Sequence, residues 1–142
     1  MAILLHHTYD QYPTPEDHNL IPFLNWLIQN ENYVLGDINV VFTDNPEIIH
    51  LNRQYLNHDY YTDVITFYYN DSDQLNGDVY ISLDKVSENA AEYETSYEDE
   101  LLRVIFHGLL HLCGYLDSHE QEVKEMREKE NFYLNRYYST RK

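Results

Sequence analysis

The fold is organised around the sequence LLRVIFHGLLHL at residues 101–112, which is apolar at almost every position. A helix that is apolar on nearly all sides is typically buried, so this stretch predicts a central buried helix over 97–112. Ser96 is a predicted N-cap, and the acidic residues that follow it complement the positive end of the helix dipole. Gly114 can adopt a positive φ, which indicates where the helix ends.

The elements on either side of this helix are predicted from their hydrophobic periodicity. Further helices are predicted over 16–31, from an N-cap at Asp44 to about Leu56, from Leu83 to about Tyr93, and over 119–136. Strands are predicted at 38–42, 63–69 and 77–82, the last two joined as a hairpin. The order predicts an α+β (mixed α/β) fold, in which helices cover a small mixed sheet and the central helix carries a histidine pair. The length of 142 residues predicts one domain over 1–142.

The charge of the chain limits how it could bind a polyanion. Nine Lys and Arg against 25 Asp and Glu give a net charge of −16, which disfavours diffuse attraction to nucleic acid. No Lys or Arg occurs in 1–52, whereas six of the nine lie in 124–142. A single cysteine, Cys113, excludes an internal disulfide, and no apolar run nears the length of a membrane span. We therefore expect a cytoplasmic protein with no membrane association.

A histidine pair on the central helix predicts a metal site. His107 and His111 are four residues apart, so both rings lie on one face of the helix. A turn at Gly114 would return the chain towards them, with Asp117 and His119 both within reach. We favour Asp117 as the third ligand and keep His119 as the alternative. Zinc suits such a donor set, and another divalent metal, such as iron, remains possible.

The spacing from His107 to Asp117 is also that of the metzincin metalloproteases. Those enzymes carry a glutamate directly after the first histidine as general base, and here that position is Gly108. A protease would therefore lack its base, which makes this the least favoured reading. Cys113 lies about 200° around the helix from His111, so we expect a core residue rather than a ligand.

Three segments resemble the YbeY family of endoribonucleases. The family pattern H-G-x-L-H-L-x-G-Y-D-H is similar to HGLLHLCGYLD at 107–117. N-x-x-Y-R-x-x-D-x-P-T-D-V-L-S-F is similar to NRQYLNHDYYTDVITF at 52–67, and G-D-I-x-I-S is similar to GDVYIS at 77–82. The resemblance implies a metal-dependent, single-strand-specific endoribonuclease of rRNA maturation and ribosome quality control. Its partners would be an rRNA precursor and the ribosome or a ribosomal protein.

The departures from the family pattern bear on the chemistry. The third histidine of the family aligns with Asp117, so His107, His111 and Asp117 are the expected ligands and catalytic residues. The arginine expected to grip a phosphate aligns with Leu56. Its sequence neighbours that could replace it are expected at the surface or in salt bridges; they are Arg53, His58, Lys85 and Arg103.

Other roles stay open at this point. Asp59 and Asp63 are expected to be caps or turn formers. The general base remains open between a metal-bound hydroxide, Asp117 and His119. A nonenzymatic ribosome-assembly factor with a structural zinc site is the alternative function, since both the family arginine and a base at position 108 are absent.

Overall fold

The structure, a computed structural model, describes residues 2–56, 62–69 and 73–140. The strands within these residues are β1 (Ile3–His7), β2 (Val34–Thr43), β3 (Val64–Tyr68) and β4 (Gln74–Ser82). They form one mixed sheet in the order β1-β2-β4-β3. The helices are α1 (Asp17–Asn30), α2 (Asn45–Leu51, continued by a π-helical turn at Asn52–Leu56), α3 (Leu83–Glu92), α4 (Tyr97–Leu112) and α5 (Glu120–Thr140). The predicted α+β class with a mixed sheet is confirmed.

Strand β1 is an element that the sequence does not predict. It pairs in parallel with β2, with Ile3 opposite Ile38, and it buries Ile3 and Leu5 while Leu4 stays exposed. In a strand of five residues, the alternation of apolar and polar side chains is too short to identify the strand from the sequence. Its stability comes from the backbone pairing with β2. Strands β2 and β4 are also parallel.

The predicted hairpin is present as the antiparallel pair of β3 and β4. Val64 lies opposite Ile81, and Tyr68 lies opposite Gly77. Residues 70–72, at the predicted turn, lie outside the described residues, as do His58 and Asp59. On one face of this pair Ile65 packs against Ile48 of α2, and on the other face α4 packs against both strands.

Helix α4 is the central buried helix that the sequence predicts. Its side chains Leu102, Ile105 and Phe106 are fully buried, and the Ser96 hydroxyl accepts the N–H of Asp99 at 3.1 Å. Gly108 lies against the sheet so closely that a Cβ there would come within 2.6 Å of the Val79 side chain. This close approach brings the face that carries the histidines next to β3.

Two further helices complete the surroundings of α4. Helix α5 packs on it through Tyr133 and Tyr137, whose rings lie 6.4 and 6.1 Å from that of Phe106. Helix α1 buries Leu24 and Leu27 in the same core. Among the described residues, no helix has both the length and the apolar character needed to cross a membrane.

Candidate metal centre

Three predicted ligands converge at the end of α4. The imidazoles of His107 and His111 project from one face, with ring centroids 4.5 Å apart. Gly114 adopts φ +99° and ends the helical course, and the returning chain brings Asp117 to the pair. Its Oδ2 atom lies 3.2 Å from Nε2 of His107 and 3.3 Å from Nε2 of His111. One donor atom from each of the three residues lies within 4.8 Å of the other two.

The hydrogen bonds of the two imidazoles indicate which nitrogen of each ring carries the proton and which one turns its lone pair towards Asp117. His111 Nδ1 lies 2.9 Å from the carbonyl oxygen of Tyr115, which can only accept, so Nδ1 carries the proton. His107 Nδ1 donates to Glu130 Oε2 at 2.6 Å. In the neutral form of each ring, Nε2 is therefore the nitrogen without a proton, and in both rings Nε2 faces Oδ2 of Asp117, which is itself an acceptor.

Such a convergence of electron pairs requires a positive charge between them, supplied by a metal ion or by added protons. Zinc bonds of about 2.0–2.1 Å in a tetrahedron place neighbouring ligand atoms about 3.3 Å apart. The two distances from Asp117 Oδ2 have this value. The donor set therefore fits a divalent cation in both chemistry and spacing.

Glu130 of α5 is a site residue that the sequence analysis does not identify. Its buried carboxylate accepts from Nδ1 of His107 and, at 3.1 Å, from Nη1 of Arg103. Burial alone would raise the pKa of Glu130, but the bonds from His107 and Arg103 outweigh burial and lower it. A carboxylate in this position fixes the tautomer and the orientation of the ring. The predicted salt bridge of Arg103 is confirmed.

The pKa of His107 reflects the same contacts. Burial would lower this pKa, but the bond to Glu130 and the nearby carboxylates of Glu130, Asp117 and Asp63 raise it. Asp63 was expected to be a cap or a turn former. Its carboxylate accepts from Nδ2 of Asn89 at 3.2 Å, and burial raises its pKa although His107 opposes this. Asp63 therefore lies beside the candidate centre, and its hydrogen bond to Asn89 of α3, 26 positions away, is a tertiary contact.

The loop that carries Asp117 is anchored to distant parts of the chain. The Tyr115 hydroxyl donates to Oε1 of Glu31 at 2.7 Å, and Oε2 of Glu31 accepts from the Tyr133 hydroxyl. The Tyr33 hydroxyl donates to the carbonyl oxygen of Cys113 at 2.7 Å. Residues 31 and 33 lie between the end of α1 and the start of β2, and Tyr133 lies on α5, so the loop position depends on α1, β2 and α5 together.

The other sequence candidates lie outside the donor group. His119 precedes α5, where its backbone N–H donates to Glu122 Oε1 at 3.1 Å, and its ring is not part of the cluster. Cys113 is buried at the end of α4, and burial raises the pKa of its thiol to about 12. A Cβ at position 108 would meet the side chains of Val79 and Val64, and the glycine that stands there supplies no general base.

Two cavities flank the three donors. One, of about 310 Å³, is lined by His107, His111 and Asp117 together with Leu56 and Asp63. The other, of about 220 Å³, shares His107, Asp117 and Asp63. Leu56, the position at which the resemblance implies an arginine, thus borders the candidate centre.

The fold and the donor set together define a class of protein: an α+β protein in which a His-x-x-x-His helix and a third donor after a glycine turn form a group that could hold a metal ion. Residues 17–138 match the sequence model of the family Endoribonuclease YbeY. The chain belongs to this family.

Individual relatives agree with the family match. An Endoribonuclease YbeY of Flavobacterium psychrophilum is 43% identical over 119 residues, which are 82% of this chain and 85% of that one. The Endoribonuclease YbeY of Azobacteroides pseudotrichonymphae is 40% identical over 98% of this chain and 100% of its own length. That of Bacteroides thetaiotaomicron is 52% identical over 68% of this chain and 71% of its own length.

A solved structure agrees with the fold. The solution structure of TM1509 from Thermotoga maritima has a TM-score of 0.66 and 30% sequence identity, and the match covers 99% of this chain and 91% of that one.

Proposed function

We propose that this chain is a metal-dependent endoribonuclease that cleaves single-stranded RNA in the cytoplasm, in rRNA maturation and ribosome quality control. Its substrate would be an rRNA precursor, and its partner the ribosome or a ribosomal protein. Family membership supports the RNA-cleaving activity. The convergence of Nε2 of His107 and Nε2 of His111 on one oxygen of Asp117 supports the metal dependence, and it is the observation that carries the proposal.

The metal ligands in this proposal are His107, His111 and Asp117, with zinc as the first choice and another divalent cation as the second. A cation held there would polarise a phosphoryl oxygen and lower the pKa of a bound water. The chain's own groups orient the ligands: Glu130 holds His107 and the Tyr115 carbonyl holds His111, each through Nδ1. Both Nε2 atoms are thereby directed at the same point.

The proposal favours a catalytic centre over a structural zinc site. Structural sites are closed by four protein ligands, whereas catalytic sites keep a position open for water or substrate. Among the described residues three donors converge, and the Asp117 side chain is 42% exposed. The cavities beside the donors leave room for a substrate group. The competing hypothesis, a nonenzymatic ribosome-assembly factor, is supported by Leu56 and Gly108. At these two positions the site has neither the family arginine nor a general base.

The deciding experiment combines metal analysis with RNA cleavage. We expect about one metal ion per chain, and cleavage of a labelled rRNA precursor by the metal-loaded protein. His107→Ala and Asp117→Ala should lose both the metal and the cleavage, whereas His18→Ala, which removes an exposed histidine outside the donor group, should keep both.

Three results would contradict the proposal. Bound metal without cleavage by the wild type would indicate the structural-zinc assembly factor. Hydrolysis of casein would indicate a metalloprotease. Retention of metal and cleavage in both His107→Ala and Asp117→Ala would show that these residues are not the centre.

A further inference from the structure

An RNA strand that reaches the donor group must bring a phosphodiester anion into a protein of net charge −16. Diffuse attraction is therefore unavailable, and a local cation beside the donors is needed. Two cavities border both His107 and Asp117. The larger is lined by no lysine or arginine among the described residues, whereas the smaller is lined by Arg103 and Arg127.

The two arginines differ in how closely each is already paired with a carboxylate. Arg103 is 21% exposed and donates to Oε1 of Glu130 at 3.1 Å. Arg127 is 60% exposed, and its ion pair with the same oxygen of Glu130 is long, at 3.8 Å. The other carboxylate oxygen of Glu130 accepts from His107. Because Glu130 already has two closer partners, Arg127 keeps donors available for an anion.

We propose that Arg127 binds a phosphate group of the RNA strand and guides it through the smaller cavity towards His107 and Asp117. This inference rests on the proposed endoribonuclease function and names the residue that recognises the substrate backbone. A guanidinium suits this task because its planar set of N–H donors matches two phosphate oxygens at once. Arg103 assists by offsetting the charge of Glu130, which would otherwise neutralise Arg127.

Four carboxylates also line this cavity, those of Asp63, Glu100, Asp117 and Glu130. Burial raises the pKa of the Glu100 and Asp63 carboxyls, and Asp63 also accepts a hydrogen bond from Asn89. Glu130 is paired with His107 and Arg103, so its charge is balanced locally.

The test compares Arg127→Gln with Lys124→Gln, a matched loss of one positive charge from the exposed surface of the same helix. The probe is a fluorescein-labelled single-stranded RNA oligonucleotide. Its Kd is measured by anisotropy on the metal-loaded protein, before measurable cleavage, over a range of salt concentrations. Steady-state cleavage by the metal-loaded protein is measured separately, and thermal melting verifies that each variant is folded.

For Arg127→Gln we expect an about tenfold weaker Kd and an about tenfold higher KM, with kcat within about twofold of wild type. The slope of log Kd against log salt should fall by about 0.7, as for one lost contact to single-stranded nucleic acid. Arg127→Lys should recover part of the affinity, since it restores the charge without the paired donors. Lys124→Gln should leave Kd, KM and the slope close to wild type.

The outcomes separate this inference from the proposed function. If the wild type cleaves RNA but Arg127→Gln binds and cleaves as Lys124→Gln does, the inference is wrong and the endoribonuclease stands. If binding depends on Arg127 but the wild type cleaves nothing, the endoribonuclease proposal fails and the phosphate contact stands. Failure of the wild type to bind the oligonucleotide would overturn the inference.

Discussion

Replacing Glu130 by glutamine isolates the contribution of the carboxylate that orients His107. This group accepts two charge-assisted hydrogen bonds, from His107 at 2.6 Å and from Arg103 at 3.1 Å. Glutamine keeps one acceptor oxygen, so one bond is lost and the amide NH₂ faces a donor. A lost bond to a charged group costs about 1.5–3 kcal/mol. The side chains of the two donors, His107 and Arg103, are 22% and 21% exposed. We therefore expect the loss of one bond to reduce the free energy of unfolding by about 2 kcal/mol.

For a chain of this length, that loss should lower the Tm by roughly 6 °C in calorimetry. The zinc affinity should fall about 10–100-fold, because the His107 ring is no longer held with Nε2 towards Asp117. A competition titration with a chromophoric chelator, well below the Tm, measures this affinity separately from stability. Glu128→Gln, a charge loss on the exposed face of the same helix, is the control and should leave both values unchanged. An affinity of Glu130→Gln within twofold of wild type would refute the orienting role.

Three further predictions concern packing, reactivity and capping. Gly108→Ala should destabilise the fold by about 1–3 kcal/mol in urea unfolding, because the new Cβ would lie 2.6 Å from Val79; an unchanged midpoint would contradict the close helix–sheet contact. The Cys113 thiol, buried and with its pKa raised to about 12, should resist iodoacetamide at about pH 8 and react in denaturant; rapid alkylation of the native protein would oppose this. Ser96→Ala should cost about 1 kcal/mol by removing the acceptor of the Asp99 N–H, and Ser118→Ala, outside any helix, serves as the comparison in thermal melts.

Features set by local sequence could be predicted. The central helix, its cap at Ser96 and the turn at Gly114 follow from periodicity and from residues within a few positions of one another. The pairing of His107 with His111 follows from their spacing on that helix. Strand β1 was missed because its stability comes from pairing with β2, more than 30 residues away, rather than from its own pattern.

The supporting residues of the centre depend on tertiary structure, which a local pattern does not encode. Glu130 reaches His107 across 23 positions, and Asp63 approaches the centre only because β3 lies beside α4. One signal for Glu130 was present in the sequence. It continues the buried stripe of α5 formed by Met126, Tyr133 and Tyr137, where a charged side chain requires a partner.

The anchoring of the Asp117 loop has a consequence for the order in which the centre assembles. The bond from Tyr115 to Glu31 joins residues 84 positions apart, so the loop reaches its place only after the chain between them has been closed. In the unfolded chain, His107 and His111 would be available on a nascent helix before the Asp117 loop is anchored. We therefore expect the three donors to come together late in folding, so that uptake of the proposed metal ion would follow the closure of this loop.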